Sequence, residues 1–98
     1  MLKQIRYFQS VVQLGSFTAA AEEHFISQSA ISQQIKALEN WLGVALLERK
    51  KRSFTLTKAS EYFYKKSLVL VADCDNIIRE LQRVSGQRGE LLRVGLLK

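Results

Sequence analysis

Proline is absent from this chain of 98 residues, and glycine occurs only 5 times. Both residues disrupt helix interiors, so their scarcity predicts a mainly helical fold. Cys74 is the one cysteine and His24 the one histidine. A single thiol makes no internal disulfide, no Cys/His cluster is available for zinc, and the composition suits a reducing cytoplasm. Phosphate-binding glycine loops, metal-ligand spacings and nucleophile–base constellations are missing too, so the chain reads as no enzyme and as needing no cofactor. Its longest apolar run, Leu68 to Ala72, is far too short to span a bilayer. Residues 1–10 carry Lys3 and Arg6 in an amphipathic pattern without an apolar segment, which reads against a secretory leader.

What is present is a 47% apolar content, enough for one modest core, and a formal net charge of +6. That balance favours an anionic partner, either nucleic acid or an acidic membrane surface.

Ile5, Phe8 and Val12 recur at helical spacing and predict a first helix over residues 2–14, stopped by Gly15. Ser16 is placed to cap a short second helix, 17–23, whose Ala19, Ala20 and Ala21 either admit a close neighbour or simply favour helix. After a break at 24–27, Ser27 is placed to cap a third helix to Leu42, with Gly43 ending it. Ile31, Ile35, Leu38 and Leu42 form its buried stripe. Residues 46–57 read as a small hairpin with the basic tip Arg49-Lys50-Lys51-Arg52-Ser53. Its turn type is not assignable, and so small a sheet must lean on helices.

Thr57 is placed to cap a fourth helix, from Lys58 to about Val84 or Gly86. Phe63, Ser67, Leu70, Cys74, Ile77, Leu81 and Val84 alternate steps of four and three along it, the repeat of a helix-pairing seam. Tyr62, Leu68, Val69, Val71 and Ile78 widen the stripe. Residues 85–89 read as a linker, and 91–97 as an apolar strand with nothing after it to pair with, as if the chain were cut from something longer.

The third helix is the most informative. Its second face carries Ser29, Ser32, Gln33 and Lys36, with Gln28 and Gln34 flanking and no carboxylate before Glu39. Hydroxyls and amides both donate to and accept from base edges in a major groove, and a helix N-terminus attracts phosphate. An ordinary solvated polar face is the competing reading. The basic run at 49–52 sits where a wing would reach the backbone or minor groove. Within it, Arg49 is also suited to a structural ion pair with Glu39 or Glu48. Lys3 and Arg6 read as solvated charges, His24 as structural or surface, and Trp41 as core or dimer packing.

Taken together, Phe8, Gly15-Ser16-Phe17-Thr18-Ala19-Ala20-Ala21, Ser27-Gln28-Ser29-Ala30-Ile31-Ser32-Gln33-Gln34-Ile35, Leu38-Glu39, Leu42-Gly43-Val44, Leu46-Leu47-Glu48-Arg49, Arg52 and Leu56-Thr57-Lys58-Ala59 closely resemble the N-terminal domain of LysR-type transcriptional regulators. The resemblance covers nearly the whole chain. It implies a winged helix-turn-helix over 1–58 (motif about 17–36, wing about 46–57), a linker helix over 58–86 and, from 87, a linker and the first strand of an effector-binding domain. It implies base contacts by Gln28, Ser29, Ser32 and Gln33. Phosphate contacts are implied for Thr18, Ser27 and Lys36 and a minor-groove contact for Arg52; Lys50 and Lys51, read from the basic run itself, are expected to add salt-sensitive contacts. Antiparallel pairing of two linker helices is implied through Phe63, Leu70, Cys74, Ile77, Leu81 and Val84. The expected partners are double-stranded DNA bearing an interrupted palindrome, a second copy of the chain and, in the intact protein, a small effector and tetramer contacts; no membrane is expected. Ser60, Leu47, Ser29 and Gln33 depart from the family's common Gly, Phe, Pro and Arg. Two other readings stand beside this one: a protein-interaction module using the helix-turn-helix as scaffold, and a single-strand or RNA binder, which would want an aromatic platform.

Overall fold

The computed structural model describes residues 1–51 and 53–88, with the backbone alone at 87 and 88. Four helices and one hairpin follow in order: α1 Leu2–Leu14, α2 Phe17–His24, α3 Gln28–Leu42, β1 Leu47–Arg49, β2 Phe54–Leu56 and α4 Lys58–Arg88. The chain divides into two compact units, the first being Met1–Leu68 and the second starting at Val69.

The local chemistry of the helix ends accounts for most of these boundaries. Ser16 and Ser27 accept from the backbone N–H of Ala19 and Ala30, at 3.1 and 3.0 Å. Each bond satisfies one of the donors a helix leaves open at its start, worth about 1 kcal/mol. Gly15 and Gly43 close α1 and α3 with φ of 65° and 79°, where a Cβ would be strained. Thr57 does two jobs. Its hydroxyl accepts from Ser60 N–H at 3.1 Å, starting α4, and donates to the Ala45 carbonyl at 2.8 Å, tying that start to the hairpin's approach.

In the first unit α1, α2 and α3 pack around Phe8, Val11, Ala20, Ile31, Ile35 and Leu38, all with no exposure. Each of the large ones contributes about 1.5–3 kcal/mol by leaving water. Ala20 and Ala21 are buried, which favours close helix approach over mere propensity as the reason for the alanine run. Antiparallel pairing sets Leu47 opposite Leu56, Glu48 opposite Thr55 and Arg49 opposite Phe54. Lys50 N–H donates to the Ser53 carbonyl at 2.8 Å and closes the tip.

Three expectations need correction. The pairing seam starts too early at Phe63: that ring packs on Phe8 of its own chain, centroids 5.6 Å apart, and Ser67 is buried with its hydroxyl accepting from Gln9 Nε2 at 2.9 Å. A repeat of four and three marks a face that something covers, and along these turns α1 covers it. The residues expected as a linker from Ser85 are helix as far as Arg88, where α4 ends; a lone Gly86 costs a helix only about 1 kcal/mol. Trp41 lies outside this chain's core, at 70% exposed. The strand expected at 91–97 and the tip residue Arg52 lie outside the described residues.

Ser60 is fully buried, and its hydroxyl has no hydrogen-bond partner among the described residues. An unsatisfied buried hydroxyl costs about 1–3 kcal/mol, and alanine is the better helix former. Ser60→Ala is therefore expected to raise Tm by roughly 4–8 °C or more, read by thermal melting in circular dichroism.

Candidate nucleic-acid interface

The segment Ser16 to Leu42 folds as helix, tight turn, helix. Its turn is made by Phe25, whose φ of 58° is left-handed, and by Ile26 N–H donating to the Ala21 carbonyl at 3.0 Å. A side chain in that backbone region costs about 1–2 kcal/mol, and nothing in the sequence pattern marked Phe25 for it. The ring is 93% exposed.

The turn leaves the polar face of α3 outward. Gln28, Ser29, Gln33 and Lys36 are exposed and Ser32 is half-buried. Gln28 Oε1 accepts from Thr18 Oγ1 at 3.1 Å, so Thr18 of α2 stands beside the start of α3. Ser27 and Ser29 hydroxyls lie 3.4 Å apart at the same end. The N-terminus of α3 thus gathers Thr18, Ser27, Gln28 and Ser29, and a helix start leaves N–H groups that suit an anion. Gln34, in contrast, turns to α1, where it accepts from Gln4 Nε2 at 3.0 Å.

The hairpin is anchored to α3 by Glu39. Its Oε2 accepts from the backbone N–H of both Leu46 and Leu47, at 2.8 and 3.0 Å, while its Oε1 lies 4.0 Å from Arg49 Nη2. Of the two ion pairs open to Arg49, the structure forms the one with Glu39. Arg49 Nη1 also donates to Ser32 Oγ at 2.7 Å, and its guanidinium lies over the Phe17 ring, 5.2 Å from the centroid. Phe17 in turn meets Phe54 edge-on at 5.2 Å. Lys50 and Lys51 at the tip are exposed. Sequence reasoning missed Phe17 as a platform and Glu39 as a backbone anchor; the first carboxylate on the polar face of α3 was the available signal for the latter.

His24 is structural: its Nε2 is 2.8 Å from Ser10 Oγ, and the ring meets Tyr7 edge-on at 4.8 Å. Arg6 is half-buried and not a free charge. Tyr7, Phe8, Phe17, Phe54, Phe63 and Tyr64 are engaged with one another or with His24, while Phe25 in the turn, Trp41 on α3 and Tyr62 on α4 are exposed. In the second unit Ile77, Leu81 and Val84 are exposed along one shallow apolar trough, with Cys74 half-buried on the same helix.

Three helices with a two-stranded wing and a long following helix define a winged helix-turn-helix module. The family model for bacterial regulatory helix-turn-helix proteins of the lysR family matches residues 2–61, and the chain belongs to that family. This is a family of transcription regulators, not of enzymes. A probable RuBisCO transcriptional regulator of Thalassiosira pseudonana is 42% identical over 91 residues, which are 92% of this chain and 30% of that protein. The regulator BenM of Acinetobacter baylyi is 34% identical over 98% of this chain and 31% of its own length. The BenM DNA-binding domain, solved with benA site 1 DNA, superposes with a TM-score of 0.79 at 36% identity, covering 87% of this chain and 96% of that one. Vibrio fischeri DarR, also solved with DNA, gives a TM-score of 0.84 at 26% identity over 89% of this chain and 30% of that one. The chain spans under a third of the length of these full-length relatives. No helix among the described residues is long and apolar enough to cross a membrane.

Proposed function

We propose that this chain reads double-stranded DNA as the N-terminal part of a cytoplasmic transcription regulator, working as a symmetric pair. The observation that carries the reading is the outward polar face of α3, capped at its N-terminus and flanked by a basic wing. Gln28, Ser29, Ser32 and Gln33 address base edges in the major groove, and Thr18, Ser27 and Lys36 address phosphates. Lys50, Lys51 and Arg52 reach the backbone or minor groove beside it. Two chains pair through antiparallel α4 helices by Leu70, Cys74, Ile77, Leu81 and Val84. Exposure of that trough supports the pairing, since exposed apolar stripes of this kind are ordinarily covered. Two-fold symmetry then calls for two half-sites, an interrupted palindrome whose spacing α4 sets. Effector binding and any tetramer contacts belong to the part of the protein beyond this chain.

The wing is tested through salt. Lys50→Ala and Lys51→Ala are each expected to lower the slope of log affinity against log salt by about 0.9 per subunit while leaving base preference intact. Fluorescence anisotropy on one selected duplex, titrated from low to high salt, measures this. Unchanged slopes would remove the wing from the interface.

A further inference from the structure

We propose that Arg49 is a specificity-positioning residue: by donating to one lone pair of Ser32 Oγ it biases that hydroxyl toward donating to the DNA base it faces. The proposal rests on the DNA-reading role of α3 and adds which chemistry Ser32 selects.

Three contacts fix the guanidinium. Glu39 Oε1 lies 4.0 Å from Nη2, the Phe17 ring supports it from beneath at 5.2 Å, and Nη1 donates to Ser32 Oγ at 2.7 Å. Phe17 is itself held by Phe54, the residue directly opposite Arg49 in the hairpin register. An arginine so clamped is not an idle surface charge. A guanidinium has only donors to give, so it takes one of the two lone pairs of Ser32 Oγ and leaves the O–H and one lone pair. The hydroxyl proton is left to point elsewhere and has no acceptor among the described residues. Donation from a cation also polarises the hydroxyl, which strengthens it as a donor. The base edges favoured are acceptors, purine N7, guanine O6 or thymine O4, over the amino groups of cytosine or adenine, which would have to use the remaining, weakened lone pair. Arg49 thereby links the wing to the sequence choice of α3 through one atom.

The experiment compares the whole chain with its Ser32→Ala, Arg49→Met and Arg49→Lys variants in selection from randomised duplex DNA, each first checked by thermal melting. Arg49→Met keeps an unbranched apolar stem but removes every donor and the guanidinium over Phe17; Arg49→Lys keeps the charge without the fork. The base pair whose preference Ser32→Ala flattens is the one facing Ser32. There, replacing the acceptor with a base analogue, such as a 7-deazapurine for N7, is expected to weaken the unsubstituted chain about 2- to 10-fold. Arg49→Met should shrink that penalty, Arg49→Lys should shrink it less because an ammonium also only donates, and in a Ser32→Ala background neither should change anything further at that pair. Uniform weakening across all base pairs, with the penalty retained, would overturn the proposal and leave Arg49 a plain cationic contact. If the unsubstituted chain selects a sequence but Ser32→Ala flattens no position, the proposal fails while base reading stands. If it selects no sequence at all, base reading itself fails.

Discussion

Glu39→Ala is expected to lower the stability of the first unit by about 3 kcal/mol, which is roughly 12–24 °C in Tm. Its carboxylate receives the backbone N–H groups of Leu46 and Leu47, and both residues are buried. A hydrogen bond to a charged acceptor contributes about 1.5–3 kcal/mol, and removing the acceptor leaves two buried donors without a partner. The Arg49 contact, at 4.0 Å and partly solvated, adds less than about 1 kcal/mol. Against a typical total of about 5–15 kcal/mol the sum is a large fraction. Glu39→Gln keeps one amide oxygen for the two N–H groups and should fall between. Urea melts of both variants check the order, and hydrogen exchange at Leu46 and Leu47 amides should accelerate most in the alanine variant. Equal stability for all three proteins would mean that the hairpin is held by Thr57 and apolar packing alone.

The second large effect is on binding. Gln33→Ala is expected to cost about 1–3 kcal/mol per half-site in sequence discrimination, roughly 5- to 150-fold. Gln33 is exposed on α3, so its loss leaves the fold within about 0.5 kcal/mol. Affinity for unrelated duplex, carried by phosphate contacts, should hardly change. Gln34→Ala supplies the contrast one residue away: it breaks the bond to Gln4, at 3.0 Å, and should weaken the α1–α3 packing slightly while sparing base preference. Competition binding with specific and scrambled duplexes separates the two. A Gln34 variant that lost discrimination while the Gln33 variant kept it would mean that the reading face is rotated by one residue.

Much of this fold was legible because the signals at its boundaries are local. A serine or threonine that caps, as at Ser16, Ser27 and Thr57, acts within three residues of itself, and a left-handed glycine acts on the turn it ends. The polar face of α3 was legible for a similar reason, since helical spacing alone sorts Ser29, Gln33 and Lys36 from Ile31, Ile35 and Leu38. What escaped depends on partners distant in sequence. The repeat through Phe63 and Ser67 gave no indication whether α1 or a second chain covers it. The sequence offered two carboxylates to Arg49, and only the folded hairpin brings it to Glu39, Ser32 and Phe17 together. The left-handed Phe25 follows no residue preference at all; it ends α2 at the turn into α3.

The most direct test of DNA reading by a symmetric pair is selection from randomised double-stranded DNA at two salt concentrations, using the unsubstituted chain and a Ser32→Ala, Gln33→Ala double variant. The expected result is enrichment of an interrupted palindrome by the former at both concentrations and its loss in the latter. Binding without sequence preference that disappears as salt rises would contradict it, reduce the module to a cationic scaffold, and turn attention to α4 as a surface for a protein partner.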